Sequence, residues 1–274
     1  MRPYETGDQL LTRPVTAEQA WKATSGRAGR CVLFFDFDGT LAPVSDDPTT
    51  VQPVAKVMVA IDALAEVVQR IAIVSARPVD FLRDRFATAP HVDLYGLYGL
   101  EHSHGGGETV TEPAALPWIP AMEELATRAR TELPTAVLVE YKRLSVALHW
   151  RTSPQLASTV EAWATAEAER LGLRVQAGRM VVELKPPVDS DKGKVIGEAI
   201  GSAGCAWYFG DDVSDIKAFN ALRAREAADP DFFGVCVAVA NPETGQEVAS
   251  AADLTLDSPE ALADFLTDAI HVLR

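Results

Sequence analysis

Cysteine is scarce in this sequence. Cys31, Cys205 and Cys236 are an odd set that cannot close a full disulfide framework, and each lies in or beside an apolar run, where reduced core thiols are expected. Basic residues are also short: 25 Lys and Arg stand against 39 Asp and Glu, a net charge of −14. That balance excludes the basic footprint on which a general nucleic-acid or anionic-membrane surface depends. No apolar stretch approaches the roughly 18 residues of a membrane span, and no charged-then-apolar leader opens the chain, so the expected compartment is cytoplasmic. Repeats, heptads and low-complexity tracts are missing as well. Two phosphate-binding devices are absent. A P-loop around Gly193-Lys194 would need glycine at 188 and a hydroxyl at 195, where Val188 and Val195 stand, and no G-x-G-x-x-G follows the first apolar run. An anionic substrate would therefore have to be met by local cations and a metal.

What is present is a series of short apolar runs alternating with helix-like segments, the pattern of βαβ units around a parallel sheet. The runs at 31–35, 70–75, 92–99, 206–210 and 235–239 are almost continuously hydrophobic, as strands covered on both faces are. The run at 92–99 can be read as two pieces. Segments 54–69, 191–204 and 215–227 carry helical spacing between them. Residues 105–186 read differently, with helices at 120–133 and 154–171 and alternating strands at 144–151, 173–178 and 180–185. The expected fold class is α/β, a Rossmann-like parallel-sheet core over 1–103 and 186–274 with an α+β module inserted at 104–185. Residues 1–30 form a polar lead-in with one short helix.

Four stretches sit at the ends of the proposed core elements. At Phe35-Asp36-Phe37-Asp38-Gly39-Thr40, two carboxylates stand two positions apart, which in extended backbone aims both at one spot. Such a pair implies either a cation between the two or an acid and a nucleophile working together. Ser75 ends a second strand, Asp191-Lys192-Gly193-Lys194 opens a helix, and Gly210-Asp211-Asp212-Val213-Ser214-Asp215 follows another strand. Ligands of open α/β sheets bind beyond the carboxyl ends of the strands, so these stretches assemble an inventory for a phosphoryl group and a hard divalent cation. Asp36 and Asp211 are the best candidate ligands, with Lys192 and Ser75 placed to neutralise and orient phosphoryl oxygens.

In this order, D-F-D-G-T, S, D-K-G and G-D-D-x-x-D resemble the haloacid-dehalogenase-like phosphohydrolases. The resemblance covers roughly residues 30–100 and 186–270 and implies Mg²⁺ and an aspartyl-phosphate. It makes Asp36 the nucleophile and a Mg²⁺ ligand. Asp38 becomes the acid and base, with its backbone carbonyl toward the metal, and Asp211 a further ligand. Thr40 helps position the attacking loop, Ser75 and Lys192 bind phosphate, and Asp215 orients Lys192 or a metal-bound water; Asp212 receives no firm role. The gap between Asp36 and Ser75 is too short for a module, so the insertion falls between Ser75 and Lys192, as in C2-type caps.

Three further pieces are similar to the trehalose-6-phosphate phosphatase family: Tyr98-Gly99-Leu100-Glu101-His102, the run Ser145–Arg151, and Gly178-Arg179-Met180 through Pro186. The resemblance assigns Glu101 and Glu183 to sugar hydroxyls and puts Arg179 near a basic position. His149 and Arg151 alternate onto one strand face that can meet the cleft or form a structural pair. Met180, Ala76 and Ile216-Lys217 depart from the family pattern. Trp118, Trp163 and Phe233 read as packing, and His102 with His104, followed by three glycines, as a flexible loop. The expected partner is a small sugar phosphate, with a monomer as the default state. Another disaccharide phosphate, a phosphomutase reaction and a non-catalytic sensor are the competing readings.

Overall fold

The computed structural model describes residues 16–274 apart from positions 46 and 243; the first fifteen residues of the expected lead-in lie outside these. Helix α1 (Ala17–Ser25) opens the described chain, closed by a capping box between Thr16 and Gln19. There follow β1 (Cys31–Phe35), α2 (Ala55–Ala65), β2 (Arg70–Val74), α3 (Val79–Arg85), β3 (Asp93–Gly96), β4 (Glu101–Ser103) and β5 (Val110–Thr111). The smaller layer contains α4 (Ile119–Glu132), β6 (Leu138–Tyr141), β7 (Val146–His149), α5 (Ala157–Leu171), β8 (Arg174–Gly178) and β9 (Val181–Lys185). The chain then returns through α6 (Lys192–Ala199), β10 (Cys205–Gly210), α7 (Asp215–Ala228), β11 (Phe233–Val239), α8 (Gln246–Ala251), β12 (Leu254–Leu256) and α9 (Pro259–Leu273). Among the described residues no helix is long and apolar enough to cross a membrane.

The large sheet runs β12-β11-β10-β1-β2-β3-β4-β5, parallel from β12 to β3 and antiparallel beyond. Its central strands are buried on both faces, which is why β1 and β10 read as unbroken apolar runs. Leu33, Phe35, Trp207 and Phe209 pack under α1, α2 and α9, where Trp21 stacks on Trp207 with ring centroids 3.7 Å apart. Val32, Phe34 and Tyr208 face α6 and α7 on the other side. Cys31, Cys205 and Cys236 are all buried. From β1 the chain leaves to β2 on one side and pairs β10 on the other, so the carboxyl end of β1 lies at the switch point where a ligand has room.

The second sheet, β6-β7-β9-β8, is antiparallel. Val146, Leu148, Val182 and Leu184 turn one face toward Met122, Leu125, Val160 and Ala164 of α4 and α5. The other face is polar: Glu140, Ala147, Glu183 and Gln176 are register partners in one row across the four strands.

Several boundaries differ from the sequence expectation. Residues 110–111, grouped with the inserted module, form β5, because the turn at Gly105–Gly107 folds the chain back onto β4. The run at 92–99 does fall into two pieces, as its sequence allowed, breaking at Leu97 and Tyr98, both with positive φ (51° and 58°), and β4 returns antiparallel. The alternating strand expected to reach Arg151 ends at His149, leaving Arg151 in a turn.

Candidate active site

The register of β1 and β10 brings the first carboxylate to the last. Phe35 pairs Phe209, and the amide of Asp36 donates to Phe209 O at 2.9 Å, so Asp36 emerges beside Gly210-Asp211. Two glycines allow this close approach. Gly39 has φ +80°, and a Cβ there would lie 2.1 Å from Asp211 Oδ2; one at Gly210 would lie 2.3 Å from Asp215 Cγ. Asp36, Asp211 and Asp215 have carboxylate oxygens within 4.8 Å of one another, and all three residues are buried.

One lysine answers them. Lys192, at the first turn of α6, is 2% exposed and places Nζ 2.9 Å from Asp36 Oδ1 and 2.6 Å from Asp215 Oδ1. Burial opposes its charge, but Asp215 and Asp36 outweigh that and hold its pKa well above the ordinary value. Asp215 is saturated. Its Oδ1 also accepts from Tyr208 Oη at 2.6 Å, and its Oδ2 accepts the amides of Asp211 and Asp212 at 3.0 Å each. It therefore anchors Lys192 and the β10–α7 loop. Asp36 and Asp211 carry the unmet charge. Burial foremost pushes Asp36 up to about 8, with Lys192 pulling it down and Asp215 and Asp212 pushing it further. Burial and then Asp36 push Asp211 well above the carboxylate range. Three buried acids against one cation make an oxygen-donor set that fits a hard divalent ion.

The other core residues surround this cluster. Thr40 Oγ1 donates to Asp211 Oδ1 at 3.3 Å and is fully buried. Ser75 is 1% exposed, and its Oγ accepts the Arg77 amide at 3.2 Å. Asp212 accepts from the amide and hydroxyl of Ser214, closing a local turn. Asp38 takes a partner of its own: Arg77 Nε and Nη2 reach its two oxygens at 2.7 and 2.8 Å. The extended-backbone expectation placed both carboxylates on one spot. Because β1 ends at Phe35 and the chain bends, each carboxylate meets a different cation.

Glu183 is 5% exposed on the polar face of the second sheet, accepting Ser145 Oγ at 2.6 Å and Lys142 Nζ at 3.3 Å. Next to it, Glu140 accepts Arg77 Nη1 at 3.0 Å, lies 3.0 Å from His149 Nε2 and 3.8 Å from Lys142 Nζ. Burial would raise Glu140, but the His149 hydrogen bond and the Lys142 and Arg77 charges draw it down to about 2. Glu101 accepts the Val79 amide at 3.1 Å and Arg143 Nη1 at 2.9 Å, so both its oxygens already have partners at the junction of the two sheets. Arg179 donates to Pro242 O at 3.3 Å, touching the loop after β11 with the β8–β9 turn. Arg151 lines a cavity of about 440 Å³ with Pro43, Ser45, Asn241 and Pro242. Met180 takes φ 57° in that turn and packs against the apolar side of the second sheet. Lys217 reaches Asp191 at 3.0 Å, tying α7 to the start of α6.

Sequence reasoning missed Arg77, Glu140, Lys142 and Asn241. Asn241 Nδ2 donates to Asp211 Oδ2 at 2.8 Å and follows the carboxyl end of β11, where the strand-end rule would have found it. Arg77 stands three residues past the end of β2 and was legible in the same way. Glu140 and Lys142 flank the end of β6, a strand without a clear signal.

A sequence model described as trehalose-phosphatase matches residues 34–260. A trehalose-phosphate phosphatase of Mycobacterium leprae is 34% identical over 275 residues, covering 95% of this chain and 62% of that protein. Among solved structures, the C-terminal domain of Candida albicans trehalose-6-phosphate phosphatase superposes with a TM-score of 0.75 at 22% identity, over 92% of this chain and 95% of that one. A haloacid dehalogenase-like hydrolase of Bacteroides thetaiotaomicron superposes with a TM-score of 0.59 at 15% identity, over 86% of this chain and 98% of that one. The chain thus spans less than two thirds of the mycobacterial relative.

Proposed function

The chain belongs to the trehalose-phosphatase family, and from that premise we propose that it hydrolyses trehalose 6-phosphate to trehalose and inorganic phosphate through an aspartyl-phosphate on Asp36. The observation that carries the reading is the buried trio Asp36, Asp211 and Asp215 with Lys192 at the carboxyl ends of β1 and β10. Asp36 and Asp211, with the backbone carbonyl of Asp38, would hold Mg²⁺. When bound, that ion polarises the phosphoryl group and offsets its charge. Asp36 attacks phosphorus, and the bond to the sugar oxygen breaks as Asp38 supplies a proton to it. A water then loses its proton to Asp38 and attacks the same phosphorus, releasing phosphate and restoring the Asp36 carboxylate. Lys192, steered by Asp215, and Ser75 bear on the phosphoryl oxygens, while Thr40 fixes Asp211.

The part of this polar row around Glu183 is the surface we assign to the sugar, Glu140 being taken up by Arg77 and His149. Glu183, held by Ser145 and Lys142, is its central acceptor, with Arg151 and Arg179 at the rim. Glu101 would meet a sugar hydroxyl only with the lone pairs that Val79 and Arg143 leave.

Phosphate release from a panel of sugar phosphates with Mg²⁺ tests the substrate. Trehalose 6-phosphate should exceed glucose 6-phosphate and generic phosphate esters by at least about 10²-fold in kcat/KM, the scale on which buried hydrogen bonds discriminate. Equal rates across the panel would sink the substrate assignment and leave a general phosphatase. Glu183→Gln should raise KM for trehalose 6-phosphate about tenfold while leaving p-nitrophenyl phosphate unchanged, since only the sugar meets it. An equal effect on both esters would remove Glu183 from sugar recognition.

A further inference from the structure

Arg77 has no part in the reaction written above, yet the site engages it on every side. Its side chain is 7% exposed. The guanidinium gives Nε and Nη2 to the two oxygens of Asp38 and Nη1 to Glu140 Oε1 at 3.0 Å. Asp38 belongs to the loop after β1 in the large sheet's layer, whereas Glu140 belongs to β6 in the smaller one. A single planar group therefore joins the two layers through the side chain that handles protons.

Each end of this bridge is fixed by something else. The carbonyl of Arg77 accepts the Leu97 amide at 2.9 Å, and the Phe81 ring centroid lies 4.6 Å from Cζ. Glu140 keeps its second oxygen on His149. Asp38 is the most exposed of the three, with a side chain 35% exposed. A bidentate arginine uses one lone pair on each carboxylate oxygen, so Asp38 keeps others for a water or a leaving group. The pairing aims the carboxylate without blocking it.

The geometry points to Arg77 as a positioning residue that couples seating of the smaller layer to the aim of Asp38. With β6 down, Glu140 fixes the guanidinium and the guanidinium fixes Asp38. With β6 lifted, the guanidinium loses Glu140, and Asp38 loses its set direction. Proton transfer is thereby confined to the closed, water-poor arrangement. The inference rests on the reading of Asp38 as acid and base.

Arg77→Gln, Glu140→Gln and the double variant test it, with Mg²⁺, on trehalose 6-phosphate and p-nitrophenyl phosphate. Each single change should lower kcat on the sugar phosphate about 10²-fold, the usual share of general acid–base catalysis. KM should move by less than about threefold, and the double variant should be no slower than Arg77→Gln, because both act through Asp38. First-turnover nitrophenolate release, which needs no proton, should stay near the wild-type rate. Losses that multiply in the double variant, or an equal loss in nitrophenolate release, would overturn the coupling. Hydrogen exchange gives a readout independent of turnover. Amides 138–141 should exchange about tenfold faster in either variant at an unchanged melting temperature, and unchanged exchange would overturn the bridge. A wild type inert toward every phosphate ester would sink the hydrolase reading, while exchange would still decide the bridge.

Discussion

Asp36→Asn should lower turnover of trehalose 6-phosphate by about 10⁴-fold or more, as removal of a covalent nucleophile does elsewhere. The change is nearly isosteric and retains one oxygen. It removes the charge that Lys192 meets at 2.9 Å and that must attack phosphorus. The fold should survive, because burial already raises this carboxyl and a neutral side chain relieves that cost. A variant that melts no lower than the wild type and does not turn over locates the defect in the chemistry. Retention of more than about a tenth of the rate would exclude Asp36 as nucleophile.

The second large effect is on stability. In the unfolded chain the Asp36 carboxyl ionises near 3.8, whereas in the folded protein without a cation it keeps its proton up to about 8. Folding thus takes up a proton across that interval. The stability this group contributes is complete below pH 3.8 and is lost as pH rises through about 8. Asp211 is raised in the same direction, by burial first and Asp36 next, and adds to the loss. A divalent cation competes with those protons, so Mg²⁺ should raise the melting temperature more at about pH 8 than at about pH 5.5. At saturation the gain at the higher pH should be roughly 5–10 °C. Thermal melts in Mg²⁺ against chelator, at both pH values, measure it. A gain that is absent, or larger at the lower pH, would contradict the cation-binding reading.

Legibility from the sequence followed the physics of each element. Strands β1, β2, β10 and β11 were plain because strands covered on both faces cannot hide their apolar runs. The acids and Lys192 were plain for a related reason: they stand where those strands end or where α6 and α7 begin. What failed was short or non-local. β5 has two residues, and β6 is an edge strand whose sequence, Leu138-Val139-Glu140-Tyr141, carries little alternation. Leu97 and Tyr98 adopt left-handed backbone between Gly96 and Gly99; the run could be read as two pieces, but nothing local marked the second as an antiparallel return. The Arg77–Glu140 bridge spans 63 positions to a strand that was itself missed, and no spacing rule could join them. Asp38 was recognised as a participant but not as Arg77's partner, because the bend after Phe35 is a tertiary outcome.

The sharpest probe is to quench wild-type protein in acid during turnover of trehalose 6-phosphate with Mg²⁺ and to map the peptide spanning residues 34–40 by mass spectrometry. A phosphoryl adduct confined to Asp36, absent in chelator and absent in Asp36→Asn, is the predicted result. Rapid phosphate release with no adduct on Asp36 at any quench time, even when hydrolysis is slowed by Asp38→Asn, would contradict it.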